Sequence, residues 1–192
     1  GVRLVGSEMC IRDRTWTVDS ASLEAQARLF TRGAYAGSEI RPNLAGLEEN
    51  SHPRAVLRLL EQANLSSPET RAAAWLLPAV ERTATMIEDI REVFGSEVAD
   101  LVRAAVPEKE PSEATTAEEM LAQERAIVAG SSSLAQTLAV CSIIADIETD
   151  ADGAVDMLDH YAAWLEGASQ AQPFLRRRAQ RSIEAGLATA EE

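Results

Sequence analysis

The densest set of potential ligands in this chain is the run ETDADGAVDMLD, residues 148–159. Carboxylate oxygens spaced in this way can wrap a hard cation such as calcium. In register with a calcium loop, Glu148, Asp150 and Asp152 take positions 1, 3 and 5, Asp156 takes position 9 and Asp159 position 12. Gly153 then falls at the sharp turn and Val155 at the apolar position. Two departures weaken the match: the first position ordinarily carries the shorter Asp, and the last a Glu long enough to ligate through both oxygens. There is no second, paired loop, and an acidic connection between two helices accounts for the same residues.

Other reactive side chains stand more singly. His52 could hold a metal or carry a proton, but a histidine at a helix start is equally well satisfied by local hydrogen bonds. Glu81 could act as a base, although Arg82 beside it can simply pair with it. Cys141, next to Ser142, has no upstream histidine placed to activate a thiol. The only lysine, Lys109, follows Glu108, so no phosphate-binding P-loop is present. FLRRRAQR, residues 174–181, reads as a basic, solvated helix face on an acidic protein.

The elements that must position these groups are helical. Asp19 or Ser20 can cap a first helix carrying Leu23, Ala27, Leu29 and Phe30. Residues 37–50, with Gly37, Pro42, Asn43 and Gly46, read as a loop, after which Ser51 opens a helix through Val56, Leu57, Leu59 and Leu60. Ser67 with Pro68 starts the next, over RAAAWLL. Pro78 falls in this segment and predicts that the helix ends or kinks there. Thr85 with Glu88 predicts a capping box for a short helix that stops at Gly95, and Ser96 opens another that ends at Pro107. After a polar connector, Thr116 with Glu119 starts a helix to Gly130, and Leu134 to Ile147 is the most apolar segment. Two further helices follow Gly153 and Pro173. No stretch alternates with period two, so the expectation is one all-α domain of eight or nine helices.

Composition agrees. Hydrophobic residues make up 46% of the 192, aromatics only 4%, and alanine occurs 34 times, which favours helices packed closely through small side chains. The formal charge of −13 argues against nucleic acid and anionic membranes as partners. No apolar run approaches the roughly 18 residues of a membrane span, the absence of a basic-then-apolar pattern in these residues argues against secretion, and two cysteines give no disulfide framework. A cytoplasmic setting is the expectation. Residues 1–14, GVRLVGSEMCIRDR, do not match the rest of the chain and resemble translated sequencing-adapter strings, which leaves 15–192 as the domain.

Four stretches, in order, resemble the hydrolase domain of the RelA/SpoT family, the metal-dependent HD hydrolases of guanosine tetraphosphate. ARLFTRGAYAGS resembles the family's first helix, and HPRAVLRLL, from His52, its His-Pro segment. AAWLLPAVERTATMIEDIREVFGSEVADLVRA lies where the family has Ala-Ala-x-Leu-His-Asp-x-Val-Glu-Asp-Thr, then a helix, Phe-Gly and Glu-Val-Ala-x-Leu-Val. AQTLAVCSIIADI lies at the place of Lys-Leu-Ala-Asp-x-x-x-Asn. The resemblance implies a helical HD-type fold in which His52, Leu77, Pro78, Glu81 and Ser142 gather around one pocket. In the family the His of His-Pro, the His-Asp pair and the Asp of Leu-Ala-Asp hold a divalent metal, usually Mn²⁺, and a Glu-Asp pair assists hydrolysis.

The chain departs from that pattern where it matters. His52 keeps the first ligand position, but Leu77 and Pro78 stand at the His-Asp pair and Ser142 at the last Asp. Glu81 remains of the assisting pair, with Arg82 as its neighbour, while Tyr35 takes the place of an early His and Ala139 that of the Lys. Leu and Pro offer no donor and neutral Ser is a poor one. The resemblance with these losses implies a catalytically inactive relative with a structural, regulatory or partner-binding role, its partner a protein or a guanosine nucleotide, and with no cofactor. One alternative is an active phosphohydrolase that uses Mn²⁺ held by a substitute set such as Glu81 and Asp146. A ligand or calcium sensor is the other.

Overall fold

Hydroxyl side chains fix where several of the helices begin. In the computed structural model, which describes residues 22–37, 51–106, 116–149 and 154–190, Ser22 accepts a hydrogen bond from the Ala25 amide at 3.2 Å and opens α1, Leu23–Ala36. This cap lies beyond Asp19 and Ser20, which, like all of residues 1–14, fall outside the described residues. Helix α2 spans Ser51–Gln62. Ser67 and Thr70 cap α3, Pro68–Arg82, reciprocally, each satisfying the other's amide. Thr116 and Glu119 do the same for α6, Ala117–Gly130.

Between them lie α4, Ile87–Phe94, and α5, Ser96–Arg103, parted by Gly95 at φ 88°, a left-handed conformation that glycine takes without strain. The cap of α4 is shifted one residue from the Thr85/Glu88 expectation. Asp89 accepts from the Met86 amide at 2.8 Å, and the Thr85 hydroxyl instead pairs with that of Thr83. Helix α7 spans Ser133–Thr149; a short 3-10 turn, Val155–Met157, leads into α8, Leu158–Gly167, and α9, Pro173–Ala190, completes the order. Among the described residues there are nine α-helices and no strand, and no helix is long and apolar enough to cross a membrane.

Helix α7 runs through the middle. Every residue from Ala135 to Ala145 is buried, which explains why its sequence is apolar all round rather than on one stripe. It packs against α2, α5, α6, α8 and α9, while α3 packs against α1, α2 and α5. The polar side chains within α7 are matched: Gln136, fully buried, bonds the Ser131 carbonyl and accepts from the Gln170 amide, and Thr137 accepts from the Gln172 amide. Helix α3 is buried from Ala72 to Val80 and does not end at Pro78; it continues to Arg82. The neighbouring α1 supplies hydroxyl donors to that stretch. Thr31 bonds the Trp75 carbonyl at 2.8 Å and Tyr35 the Pro78 carbonyl at 3.4 Å, so polar groups near the proline are met from outside the helix.

Candidate functional site: a buried histidine between three helices

His52 is the second residue of α2, and the apolar residues after it at helical spacing hold that helix against α3 and α7. The imidazole is turned inward and is 6% exposed. Its Nε2 lies 3.3 Å from the Ser142 Oγ and 3.2 Å from the Asp146 Oδ1, both on α7. Ser142 and Asp146 share a face because they are four residues apart. The second oxygen of Asp146 accepts from the Tyr161 hydroxyl of α8 at 3.1 Å. One carboxylate thus ties α2 and α8 to α7.

The geometry assigns the proton. A carboxylate only accepts, so Nε2 carries the hydrogen that faces Asp146. His52 Nδ1 is buried with no hydrogen-bond partner, which suits a bare lone pair far better than a second N–H. Burial holds the imidazole below the ordinary histidine range; the Asp146 carboxylate works against that shift and the Arg82 charge adds to it. The group is therefore a neutral imidazole protonated on Nε2. Because Ser142 and Asp146 meet the same nitrogen, this is not a relay in which one ring nitrogen serves a nucleophile and the other a carboxylate.

The structure brings the α2 and α7 candidates, His52 and Ser142, into contact. Leu77 is fully buried on α3, and Pro78 beside it presents its carbonyl to Tyr35. Glu81 is half-buried one turn beyond Leu77, and Arg82 is exposed but near enough to act on the imidazole. Asp146 and Tyr161 complete the cluster. Sequence pattern marks Asp146 only as a substitute ligand and gives Tyr161 only a place in an apolar helix; a hydroxyl-bearing aromatic on a core-facing stripe is the one signal that could have found it.

The donor set does not fit a divalent metal. Of the four positions that the RelA/SpoT resemblance assigns to Mn²⁺, Leu77 and Pro78 offer no donor, Ser142 offers a neutral hydroxyl, and His52 Nε2 faces Asp146. Among the described residues no three His, Cys, Asp or Glu side chains are placed to hold a metal ion together.

Of the calcium-loop residues, Asp150 and Asp152 lie outside the described residues. Glu148, in the last turn of α7, is paired with Arg178 of α9, which donates from Nε at 3.1 Å. Asp156 lies in the 3-10 turn and Asp159 in the first turn of α8, so these three are held on three different elements. Arg178 is correspondingly not part of a purely solvated face. Cys141 is buried, and burial pushes its thiol up to about 12, leaving it unreactive.

A second polar cluster belongs to none of the sequence motifs. Glu124 of α6 is 3% exposed; its Oε2 accepts from Trp164 Nε1 at 2.9 Å and meets His160 Nδ1 at 2.8 Å, while Oε1 has no partner. Glu124 sits four residues from both Met120 and Val128, an acid within the inward stripe, and that interruption is visible in the sequence.

No family model and no curated protein matches this sequence. Solved structures do. A metazoan ortholog of SpoT, described as hydrolysing ppGpp and as playing a role in starvation responses, aligns over 86% of this chain and 96% of its own, with a TM-score of 0.63 and 15% identity. The protein lmo0812 of Listeria monocytogenes EGD-e aligns over 75% of this chain and 94% of its own, with a TM-score of 0.52 and 23% identity. The described residues are all-helical and share the fold of these structures, a SpoT-like one.

Proposed function

We propose that this domain is a non-hydrolytic relative of the metal-dependent (p)ppGpp 3′-pyrophosphohydrolases, serving a regulatory or partner-binding role with a protein or guanosine nucleotide as partner. The observation that carries this reading is the engagement of His52: the nitrogen that would face a cation donates instead to Asp146, and Leu77 and Pro78 fill the place of a His-Asp pair with hydrocarbon. Fold alone does not transmit a substrate. The test is guanosine tetraphosphate hydrolysis by the purified chain with and without Mn²⁺. The expected result is turnover no faster than in a metal-free control. Metal-dependent pyrophosphate release that His52→Ala abolishes would overturn the proposal.

One observation favours a second reading, a divergent active hydrolase. Asp146 places a carboxylate within 3.2 Å of His52, and Glu81 stands on the adjoining α3, so part of a substitute donor set exists. That enzyme would bind Mn²⁺ through Nε2 after the ring proton moves to Nδ1, and would show Mn²⁺-dependent turnover in the same assay.

A further inference from the structure

We infer that the hydrogen-bonded chain His52–Asp146–Tyr161, with Ser142 beside it, is a metal-free crosslink that fastens α2, α7 and α8 together where a cation would otherwise gather donors. The inference rests on the metal-free reading above and concerns what holds the site.

A cation site draws electron-pair donors from several helices to one point and leaves them repelling one another when the ion is absent. Here donors and acceptors from three helices meet at the same point. Asp146 is a two-sided acceptor, with Oδ1 toward His52 of α2 and Oδ2 toward the Tyr161 hydroxyl of α8. Each contact joins a different helix to α7, and the α2 partner is a ring that is itself buried. The two donors each place a hydrogen on a different oxygen of this half-buried carboxylate. On α3, Leu77 is fully buried and the carbonyl of Pro78 is met by Tyr35. His52 therefore has a structural role that needs no metal: it is one half of a helix-to-helix bond.

The experiment is thermal unfolding of the whole chain, stripped with EDTA and then measured with and without added Mn²⁺, for the native sequence, Tyr161→Phe, Asp146→Asn and the double variant. Tyr161→Phe removes one oxygen and no volume, so it folds even if Asp146→Asn does not. The expected result is one Tm for the native chain in both conditions, a lower Tm in each single variant, and a double variant that falls by less than the sum of the two. Sub-additivity is the signature of a shared bond. A cation bound to the native state at a hundred times its Kd would instead raise Tm by roughly 5 °C or more. Such a rise, or strictly additive losses, or single variants as stable as the native chain would each overturn the crosslink. An inactive chain whose Tm rises with Mn²⁺ would sink this inference and leave the non-hydrolytic reading standing; Mn²⁺-dependent turnover would sink that reading itself.

Discussion

Ser142 is fully buried, four residues from Asp146 on the same face of α7, and that placement limits what its position tolerates. Ser142→Asp puts a second carboxylate beside the first with only one imidazole between them. Like charges in a desolvated site repel strongly, and the neutral form of one acid is the cheaper outcome. We expect a loss of about 2–4 kcal/mol, read as a lower urea midpoint at an unchanged slope. A variant as stable as the parent would mean that water reaches the site. His52 makes the complementary prediction for pH. Burial depresses its folded value below that of the unfolded chain, so the unfolded state takes up the proton first as the solution is acidified. The stability this gives is present above about pH 6.5 and is lost as pH falls toward the folded value. Tm should decline between about pH 7.5 and 5.5, and less steeply in His52→Gln. A Tm that climbs on acidification would mean that an imidazolium–carboxylate pair outweighs desolvation. Most of this site is legible in the linear sequence, because His52 and Ser142 carry the spacing of a known pattern. The partner of Asp146 is not, since Tyr161 lies fifteen residues on, past a connection whose geometry no periodicity encodes.

Helix boundaries illustrate which signals survive into three dimensions. The Ser67/Thr70 and Thr116/Glu119 caps act on adjacent backbone, so they read directly from the residues. Pro78 does not end α3, and α1 places hydroxyl donors on the nearby Trp75 and Pro78 carbonyls. Thr31→Val should therefore cost about 1 kcal/mol by stripping the Trp75 carbonyl of its hydroxyl partner, measured by chemical denaturation. No change would mean that the α3 backbone already satisfies that carbonyl. Helix α6 offers a sharper case. Its buried residues are only Glu124 and Val128, and it lies against α8 so closely that a Cβ at Gly167 would stand 2.5 Å from the Arg125 carbonyl. Glu124→Ala leaves the buried Trp164 N–H without its acceptor and should cost about 2–3 kcal/mol. Amide exchange should show residues 117–130 losing protection before α7 does. Uniform loss of protection across the molecule would show that α6 unfolds only with the whole.

Charge acts on the whole chain at once. With 31 acidic against 18 basic residues the formal net charge is −13, and most of that excess lies on a surface that must hold itself together. Among the described residues the ion pairs that oppose the repulsion include ones open to solvent, such as Arg91–Asp100 and Arg125–Glu166, each 2.8–2.9 Å apart. Pairs of that kind contribute about 0–1 kcal/mol apiece and weaken with salt. The Arg71–Glu24 pair is better sheltered, at 2.6 Å with Trp75 Nε1 on the other carboxylate oxygen. Partial burial raises the Glu24 carboxyl, but these bonds and the nearby arginines more than offset it and hold the group below the usual carboxylate range. Screening reaches the diffuse repulsion first, because it acts over distances near the Debye length of about 10 Å at 0.1 M salt, whereas a contact pair is screened much less. The two effects have opposite signs, and the charge imbalance decides between them. Raising NaCl from about 10 mM to 0.3 M should increase Tm, with most of the gain below about 0.1 M, where the Debye length is still long. Differential scanning calorimetry at constant pH measures it directly. A Tm that falls with salt would mean that the surface pairs outweigh the net charge.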